Sequence, residues 1–358
     1  MTRIRAAVCH EFGAPLSVEE INLSPPGPRE VEVTLEACAI CHSDITYASG
    51  AWGGTLPAVY GHEAAGRISA VGEGVSRFAV EDRVIVTLIR ACGTCASCGA
   101  GHPATCTSPE GPAPLALADG TPCHQGMATG AFAERVVVDQ SQIAPIPVAL
   151  TGEVASLLSC GVITGVGAVV NSGRLRPGED AVVIGAGGVG LNAIQGARLA
   201  GARRVVAVDM TEDKLADARA FGATDTILGT TDKPWEQLST LIGKSADAVF
   251  VTVGLAPVYT DAPNYLAPGG RLVMVGMPPT GAMAEYGPDG VAAYGQSLIG
   301  SKMGDTVLAR DIPWLTDLYL QGRLKLDELI SGRWTLDQIN EAIADTRAGT
   351  ARRNVILF

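Results

Sequence analysis

Hydrophobic and polar positions change their rhythm partway along this chain of 358 residues. Up to about residue 150 the apolar positions come in short Val- and Ile-rich runs, EVEVTLEAC (30–38), AAGRISAVG (64–72), DRVIVTLI (82–89) and FAERVVVD (132–139), with Gly and Pro between them. Runs of this length predict strands joined by turns. After SCGVITGVGAVV, from Asp180 onward, strand patterns alternate with helix-period segments. The strand candidates are AVVIGAG, RRVVAVD, ATDTIL, ADAVFVTVG, GRLVMVGMP and QSLIGS; VGLNAIQGARLAG and TEDKLADARAFG are helix candidates between them. Six apolar strands with helical crossovers predict an α/β, doubly wound parallel sheet. The alternation stops after about Ser301, so the last stretch is expected to return to the first domain. The expected organisation is a β-rich domain of residues 1–161 with 299–358, interrupted by a nucleotide-binding domain of residues 162–298.

Composition narrows the partners. With 47% hydrophobic and 18% charged residues the chain is globular. A net charge of −11 argues against a nucleic-acid binder, which needs a basic face to displace counterions. The start, MTRIRAAVCHEFGAPL, is soon broken by His10 and Glu11, unlike a secretory signal. No apolar run approaches the roughly 18 residues of a membrane span. A cytoplasmic chain with no membrane partner is expected, and there nine cysteines favour metal or catalysis over disulfides.

Three stretches carry candidate chemistry. VVIGAGGVGLNAI places Gly185, Gly187 and Gly190 in a G-x-G-x-x-G pattern between a predicted strand and a predicted helix. Such glycines let the chain turn, let backbone approach a pyrophosphate and let helix pack on strand, with the helix N-terminus facing the anion. The next strand ends in Asp209, nineteen residues beyond Gly190, where a carboxylate can accept from both ribose hydroxyls and repel a 2′-phosphate. That points to NAD. ACGTCASCGAGHPATC spaces Cys92, Cys95, Cys98 and Cys106 as C-x2-C-x2-C-x7-C. Four thiolates close a tetrahedral Zn²⁺ site that does no chemistry; an iron–sulfur run would normally end C-x3-C-P. The third stretch, CAICHSD (38–44), holds Cys38-x-x-Cys41-His42. Alone it could attach a c-type haem, act as a redox dithiol, or offer one metal ligand among bystanders.

The surroundings choose among these. Cys41-His42-Ser43-Asp44, Gly61-His62-Glu63, the four-cysteine stretch, Cys160-Gly161, the glycine loop and the ending ARRNVILF follow one another nearly end to end as in the zinc-dependent alcohol dehydrogenases of the medium-chain dehydrogenase/reductase superfamily, which the chain resembles. The resemblance implies a GroES-like β-rich catalytic domain and a Rossmann domain, with two Zn per chain. It implies a catalytic zinc on Cys41, His62 and Cys160, with one position open to water or substrate, as such zinc requires. Asp44 is then suited to accept the far ring N–H of His62 and fix its tautomer, and Glu63 is the family's acidic neighbour behind the metal. By the same resemblance Ser43 accepts a hydrogen bond from the alcohol. His42, Thr164, Gly188, Val189, Lys214, Val275 and Arg353 join the glycines and Asp209 at the cofactor, His42 and Arg353 near its pyrophosphate and Lys214 near the adenosine ribose. CAICHSD is therefore not a haem site, and Cys38 is read as a small buried strand residue.

The implied reaction is reversible hydride transfer between an alcohol and NAD, the zinc easing loss of the hydroxyl proton. Some members place a histidine at the outer end of the proton relay, three residues past the serine; here that position is Thr46. Trp52, Leu88 and the loop 108–128 are expected to line or cover an apolar pocket suited to primary alcohols, aliphatic or aromatic. The similar glutathione-dependent formaldehyde dehydrogenases rely on an acidic group near position 52 and an Arg near 110, where this chain has Trp52 and Glu110. Polyol dehydrogenases usually lack the third catalytic cysteine, present here as Cys160. About 25 residues separate Cys106 from Phe132, as in dimeric members, and GGRLVMVGMPP is expected to supply a strand pairing across a homodimer, with a tetramer as the alternative. No role is assigned to Cys9 or Cys123.

Overall fold

The computed structural model describes residues 1–108, 111 and 113–358. They form two compact units, Met1–Cys160 with Val307–Phe358, and Gly161–Thr306. Residues 299–306 thus leave the β-rich domain to which the sequence pattern assigned them. Ser297–Gly300 is the last strand of the second unit's sheet. The segment after it lies against the helix Ile163–Gly167, where a Cβ on Gly304 would stand 2.2 Å from the Ile163 carbonyl.

In the first unit, five short strands close a barrel: Thr2–Cys9, Ser17–Leu23, Leu115–Ala116, Pro122–Gln125 and Ala58–Val59. A seven-stranded sheet centres on Glu30–Ala39, which pairs with Glu63–Val71, Arg135–Asp139 and the C-terminal strand Arg353–Leu357. This long strand can serve three neighbours because it is buried along most of its length, with Val31, Val33, Leu35, Ala37 and Cys38 in the core. The register sets Ala39 opposite both Glu63 and Val355. Helix α1 (His42–Ala48) begins three residues after this strand, with Cys41 at its N-cap and Asp44 in its first turn.

The second unit is a six-stranded, all-parallel sheet of β1 (Asp180–Ile184), β2 (Arg204–Asp209), β3 (Asp225–Leu228), β4 (Ala246–Val251), β5 (Leu266–Met274) and β6 (Ser297–Gly300). Its order is 3-2-1-4-5-6, the doubly wound arrangement. β1 and β4 are almost wholly apolar because both faces are covered. Helix α2 (Gly188–Leu199) starts directly after the glycine loop. The order corrects one expectation. GGRLVMVGMPP lies largely in β5, which is paired on both sides, so it has no edge to offer a second copy; the edge strands are β3 and β6.

A second correction concerns apolar length. Gly152–Ser172 forms a helix long and apolar enough to cross a membrane by length and composition, although 89% of its most apolar window is buried, as in the core helix of a folded domain.

Gly61, just before His62, has φ +91°, and a Cβ there would stand 2.6 Å from the Phe132 backbone nitrogen. Gly61→Ala is expected to destabilise the first unit by about 2 kcal/mol or more. Urea unfolding checks this, and an unchanged midpoint would contradict the contact.

Candidate metal centres and nucleotide loop

Cys41, His62, Glu63 and Cys160 are brought together in the first unit, their ligand atoms all within 4.8 Å of one another and all four residues buried. Three chain segments supply them. Cys41 ends the turn into α1, His62 and Glu63 open the neighbouring strand, and Cys160 lies in the helix that follows residue 151. The tie between the first two is Asp44. Its Oδ2 accepts from the Cys41 backbone N–H at 3.0 Å, and its Oδ1 accepts from the Gly61 N–H and from His62 Nδ1, both at 2.9 Å. With Nδ1 bonded to that carboxylate, Nε2 is the ring nitrogen left to ligate a metal. Nε2 is buried without a hydrogen-bond partner, alongside two cysteine sulfurs. A soft divalent cation satisfies all three atoms, so the residues present fit a zinc with three protein ligands.

The electrostatics point the same way. Burial lowers the His62 pKa, but the Asp44 carboxylate and the Cys41 sulfur more than restore it. Groups that favour a proton on this ring also favour a metal cation. A hydrogen bond from Cys160 holds the Cys41 thiol well below its usual range, and that same bond raises Cys160. Glu63 is fully buried; burial pushes its carboxyl up to about 7, against the pull of Arg353, which bonds its Oε2. The other oxygen, Oε1, has no partner.

The second cluster, Cys92, Cys95, Cys98 and Cys106, also sets its sulfurs within 4.8 Å of one another, on a half-buried loop. Backbone N–H groups point at them: Thr94 and Cys95 donate to Cys92 Sγ, Cys98 donates to Cys95 Sγ, and Cys92 donates to Cys106 Sγ. Donors of this kind favour thiolates, and Cys95 falls to about 5, chiefly through the Thr107 and Cys98 N–H groups. Four cysteine sulfurs, with no fifth ligand grouped with them among the described residues, suit a structural zinc.

In the second unit the glycine loop is built as its spacing predicts. Gly185 has φ +99°, and a Cβ on Gly190 would lie 1.8 Å from the Gly185 carbonyl, so helix and strand meet at van der Waals distance. Beside Gly187, the N-cap of α2, nothing lies within 4 Å of such a Cβ, which leaves room for a phosphate at the helix N-terminus. Gly188, Val189 and Gly190 form the first turn of α2. Asp209 ends β2 and is tied to the loop, its Oδ2 accepting from Ala186 N–H at 2.7 Å. Thr164 is buried with its hydroxyl on Met303 Sδ, and Val275 follows β5 with its N–H on Val251 O. Lys214 lies in the helix after β2, where its N–H is capped by Thr211.

Other expected residues are placed as follows. His42 is exposed at the start of α1, and Ser43 Oγ lies 3.6 Å from Cys41 Sγ. Thr46 donates its hydroxyl to His42 O at 2.8 Å, inside the helix. Leu88 is half-buried and follows Thr87, the residue opposite Glu63. Trp52 is half-buried in the loop after α1. Glu110 lies outside the described residues, as do two other positions of the 108–128 loop. Arg353, expected at a pyrophosphate, is buried in the first unit against Glu63.

Comparison with known proteins agrees with this architecture. Residues 27–148 match the alcohol dehydrogenase GroES-like domain and residues 188–321 the zinc-binding dehydrogenase domain. The chain is 33% identical over 380 residues to S-(hydroxymethyl)glutathione dehydrogenase of Paracoccus denitrificans, covering 99% of this chain and all of the relative. It is 34% identical over 366 residues to NDMA-dependent alcohol dehydrogenase of Amycolatopsis methanolica, covering 99% of each. The crystal structure of benzyl alcohol dehydrogenase from Acinetobacter calcoaceticus superposes with a TM-score of 0.94 at 29% identity over the full length of both chains. The chain belongs to the zinc-dependent alcohol dehydrogenase family of the medium-chain dehydrogenase/reductase superfamily. It is an oxidoreductase of a family that uses zinc and a nicotinamide cofactor.

Two features escape a reading of the sequence. The Glu63–Arg353 pair joins residues 290 apart, and only the docking of the last strand beside Glu30–Ala39 shows it. Met303, Gly304 and Asp305 all have φ near +50° to +65°, beside Thr164; the lone glycine was the only signal there.

Metal analysis is expected to find two zinc ions per chain. Asp44→Asn is expected to weaken the buried site about 10- to 100-fold, so that chelator dialysis leaves one zinc, on the four-cysteine loop. Cys98→Ser is expected to lose the other zinc and shorten the folded half-life. Full retention of both ions in Asp44→Asn would remove the role given to that carboxylate.

Proposed function

We propose that the chain is a zinc-dependent, NAD-linked alcohol dehydrogenase that reversibly oxidises primary alcohols, aliphatic or aromatic, to aldehydes. The observation that carries this is the buried cluster of His62, Cys41 and Cys160, with His62 Nε2 lacking a hydrogen-bond partner and its ring oriented by Asp44. A zinc on Cys41, His62 and Cys160 supplies Lewis acidity that eases loss of an alcohol's proton. Asp44 holds the imidazole in the ligating tautomer. Ser43, beside Cys41, accepts the hydrogen bond of the substrate hydroxyl and passes its proton outward. Thr46 spends its own proton on His42 O, so the outer step runs through the cofactor ribose or water. Glu63, paired with Arg353, offers a carboxylate behind the ligands, and Arg353, whose guanidinium has further donors, remains our candidate for the pyrophosphate.

In the second unit, Gly185, Gly187, Gly188, Val189 and Gly190 receive the pyrophosphate, and Asp209 receives the ribose hydroxyls. Asp209 accepts from Ala186 and Met210 N–H, one bond per oxygen, so lone pairs remain for two hydroxyls. Arg203 and Arg204 are held at the opposite end of β2 from Asp209 by Asp180 and Asp225, where they do not offset a 2′-phosphate. This supports NAD over NADP. None of the nine cysteines is joined in a disulfide, which suits a reducing compartment such as the cytoplasm. A homodimer through the β6 edge is the assembly we favour, since Met277, Met283, Tyr286 and Tyr294 are exposed in the segment leading into that strand. A thiol-adduct dehydrogenase is the second reading, raised by the Paracoccus relative. Trp52 stands where an acidic clamp is expected in that activity, which disfavours it.

An alcohol and aldehyde panel with both cofactors tests the proposal, with S-(hydroxymethyl)glutathione included. NAD is expected to exceed NADP by about a hundredfold in kcat/KM, close to 2.7 kcal/mol. Asp209→Gly is expected to lose most of that margin by weakening NAD and admitting NADP. Equal efficiencies in the unmodified chain would show that Asp209 does not read the ribose, and absence of NAD-linked turnover on any alcohol would sink the function.

A further inference from the structure

Asp44 accounts for two of the three ligands of the buried centre, through the Cys41 N–H and the His62 ring. Cys160 arrives separately, on the helix that opens with Gly152–Leu157 and continues through a π-turn, Leu158–Val162. Its sulfur lies within 4.8 Å of the ligand atoms of Cys41, His62 and Glu63, so this helix must keep a set place against the strand Glu63–Val71. Two contacts tie the helix to the sheet. At its start, a Cβ on Gly152 would stand 2.6 Å from the Glu36 side chain, so helix and sheet are already in close contact there. Beside the ligand, Ser159 Oγ donates to Ala64 O at 2.8 Å. Ser159 and Ala64 are both wholly buried, and Ala64 directly follows Glu63.

The direction of that bond is unusual for a helical serine. Such a hydroxyl ordinarily returns its proton to its own helix, as Ser156 does to Glu153 O at 2.8 Å. Ser159 sends it across to the strand instead. Adjacent residues of an α-helix point about 100° apart, so a neighbouring strand is normally reached by only one of them. Here Ser159 and Cys160 both reach the start of Glu63–Val71. The π-turn centred on Cys160 accounts for this, because its wider ring re-aims the side chains it carries, and such turns occur mostly at functional sites. Leu157 and Leu158 beside it are buried, but apolar packing is non-directional and leaves the helix free to rotate or slide. A hydrogen bond is directional.

We propose that Ser159 is a positioning residue for the buried centre: its bond to Ala64 fixes the rotation and height of the helix on the strand, and so the distance of Cys160 Sγ from the His62 ring. This rests on the reading of Cys41, His62 and Cys160 as zinc ligands. Asp44 sets one half of the ligand group and Ser159 the other. Ligands held in place beforehand need less ordering when a cation enters.

The test uses Ser159→Ala and, as its control, Ser156→Ala, which removes an equally buried hydroxyl from the same helix without touching the strand. Alanine is the best helix former, so both variants keep the helix. Zinc release from each full-length holoprotein to excess coloured chelator is followed, with urea midpoints alongside. In Ser159→Ala the ion of the buried centre is expected to leave about tenfold faster, while the ion of the four-cysteine loop keeps its unmodified rate. Ser156→Ala is expected to release both at the unmodified rates. After exchange to cobalt(II), the d–d and thiolate-to-metal bands are expected to shift in Ser159→Ala and not in Ser156→Ala, the four-cysteine loop being common to both. Unchanged release and unchanged bands in Ser159→Ala overturn the inference. Equal acceleration in both variants, following a fall in urea midpoint, also overturns it, since that marks a general loss of helix stability. An unmodified chain that takes up no ion beyond the one on the four-cysteine loop overturns the zinc reading of Cys41, His62 and Cys160, and this inference with it.

Discussion

One buried carboxylate organises the site. Asp44 accepts from the Cys41 N–H, the Gly61 N–H and His62 Nδ1, so it fixes a helix start, a turn and a ring in a single step. Without it, three buried donors would be left unpaired, at about 1–3 kcal/mol each. The same bonds choose the His62 tautomer and aim Nε2 at the two cysteines. Gly61 must be glycine because the chain passes Phe132 too closely for a Cβ, and that passage brings His62 under α1.

Behind this arrangement lies a second buried charge pair whose worth is of another kind. Glu63 and Arg353 are both buried, and removing either would strand the other at a cost of about 3–5 kcal/mol. The pair exists because Ala39 has Glu63 on one side and Val355 on the other. The C-terminal strand therefore holds the floor of the metal site as well as completing a sheet. The second unit follows different rules. There, backbone proximity does most of the work: Gly190 lets α2 approach β1, and Asp209 is tethered to the loop through Ala186 N–H.

Much of this was legible in the residues. The four-cysteine spacing, the glycine pattern and the acid nineteen residues later are local, and each is tied to a geometry that few other folds need. Six apolar strands with helices between them predicted the parallel sheet because a doubly covered strand has no reason to alternate. Domain bounds were less legible. The pattern shows the strand in QSLIGS but not where the chain leaves that unit, and the packing of the segment after Gly300 decides it.

What the sequence determined by itself was the set of local chemistries: which side chains could bind a metal, a pyrophosphate or a ribose, and which segments are strand or helix. Tertiary structure alone decided which of these meet. It paired Arg353 with Glu63, put β6 rather than β5 at one edge of the sheet, and joined Tyr47, Trp52 and Tyr60 ring to ring. The physical reason is that spacing along a chain constrains neighbours within a turn or a strand, whereas ion pairs, sheet edges and ring contacts between distant segments depend on register and packing that no local pattern encodes.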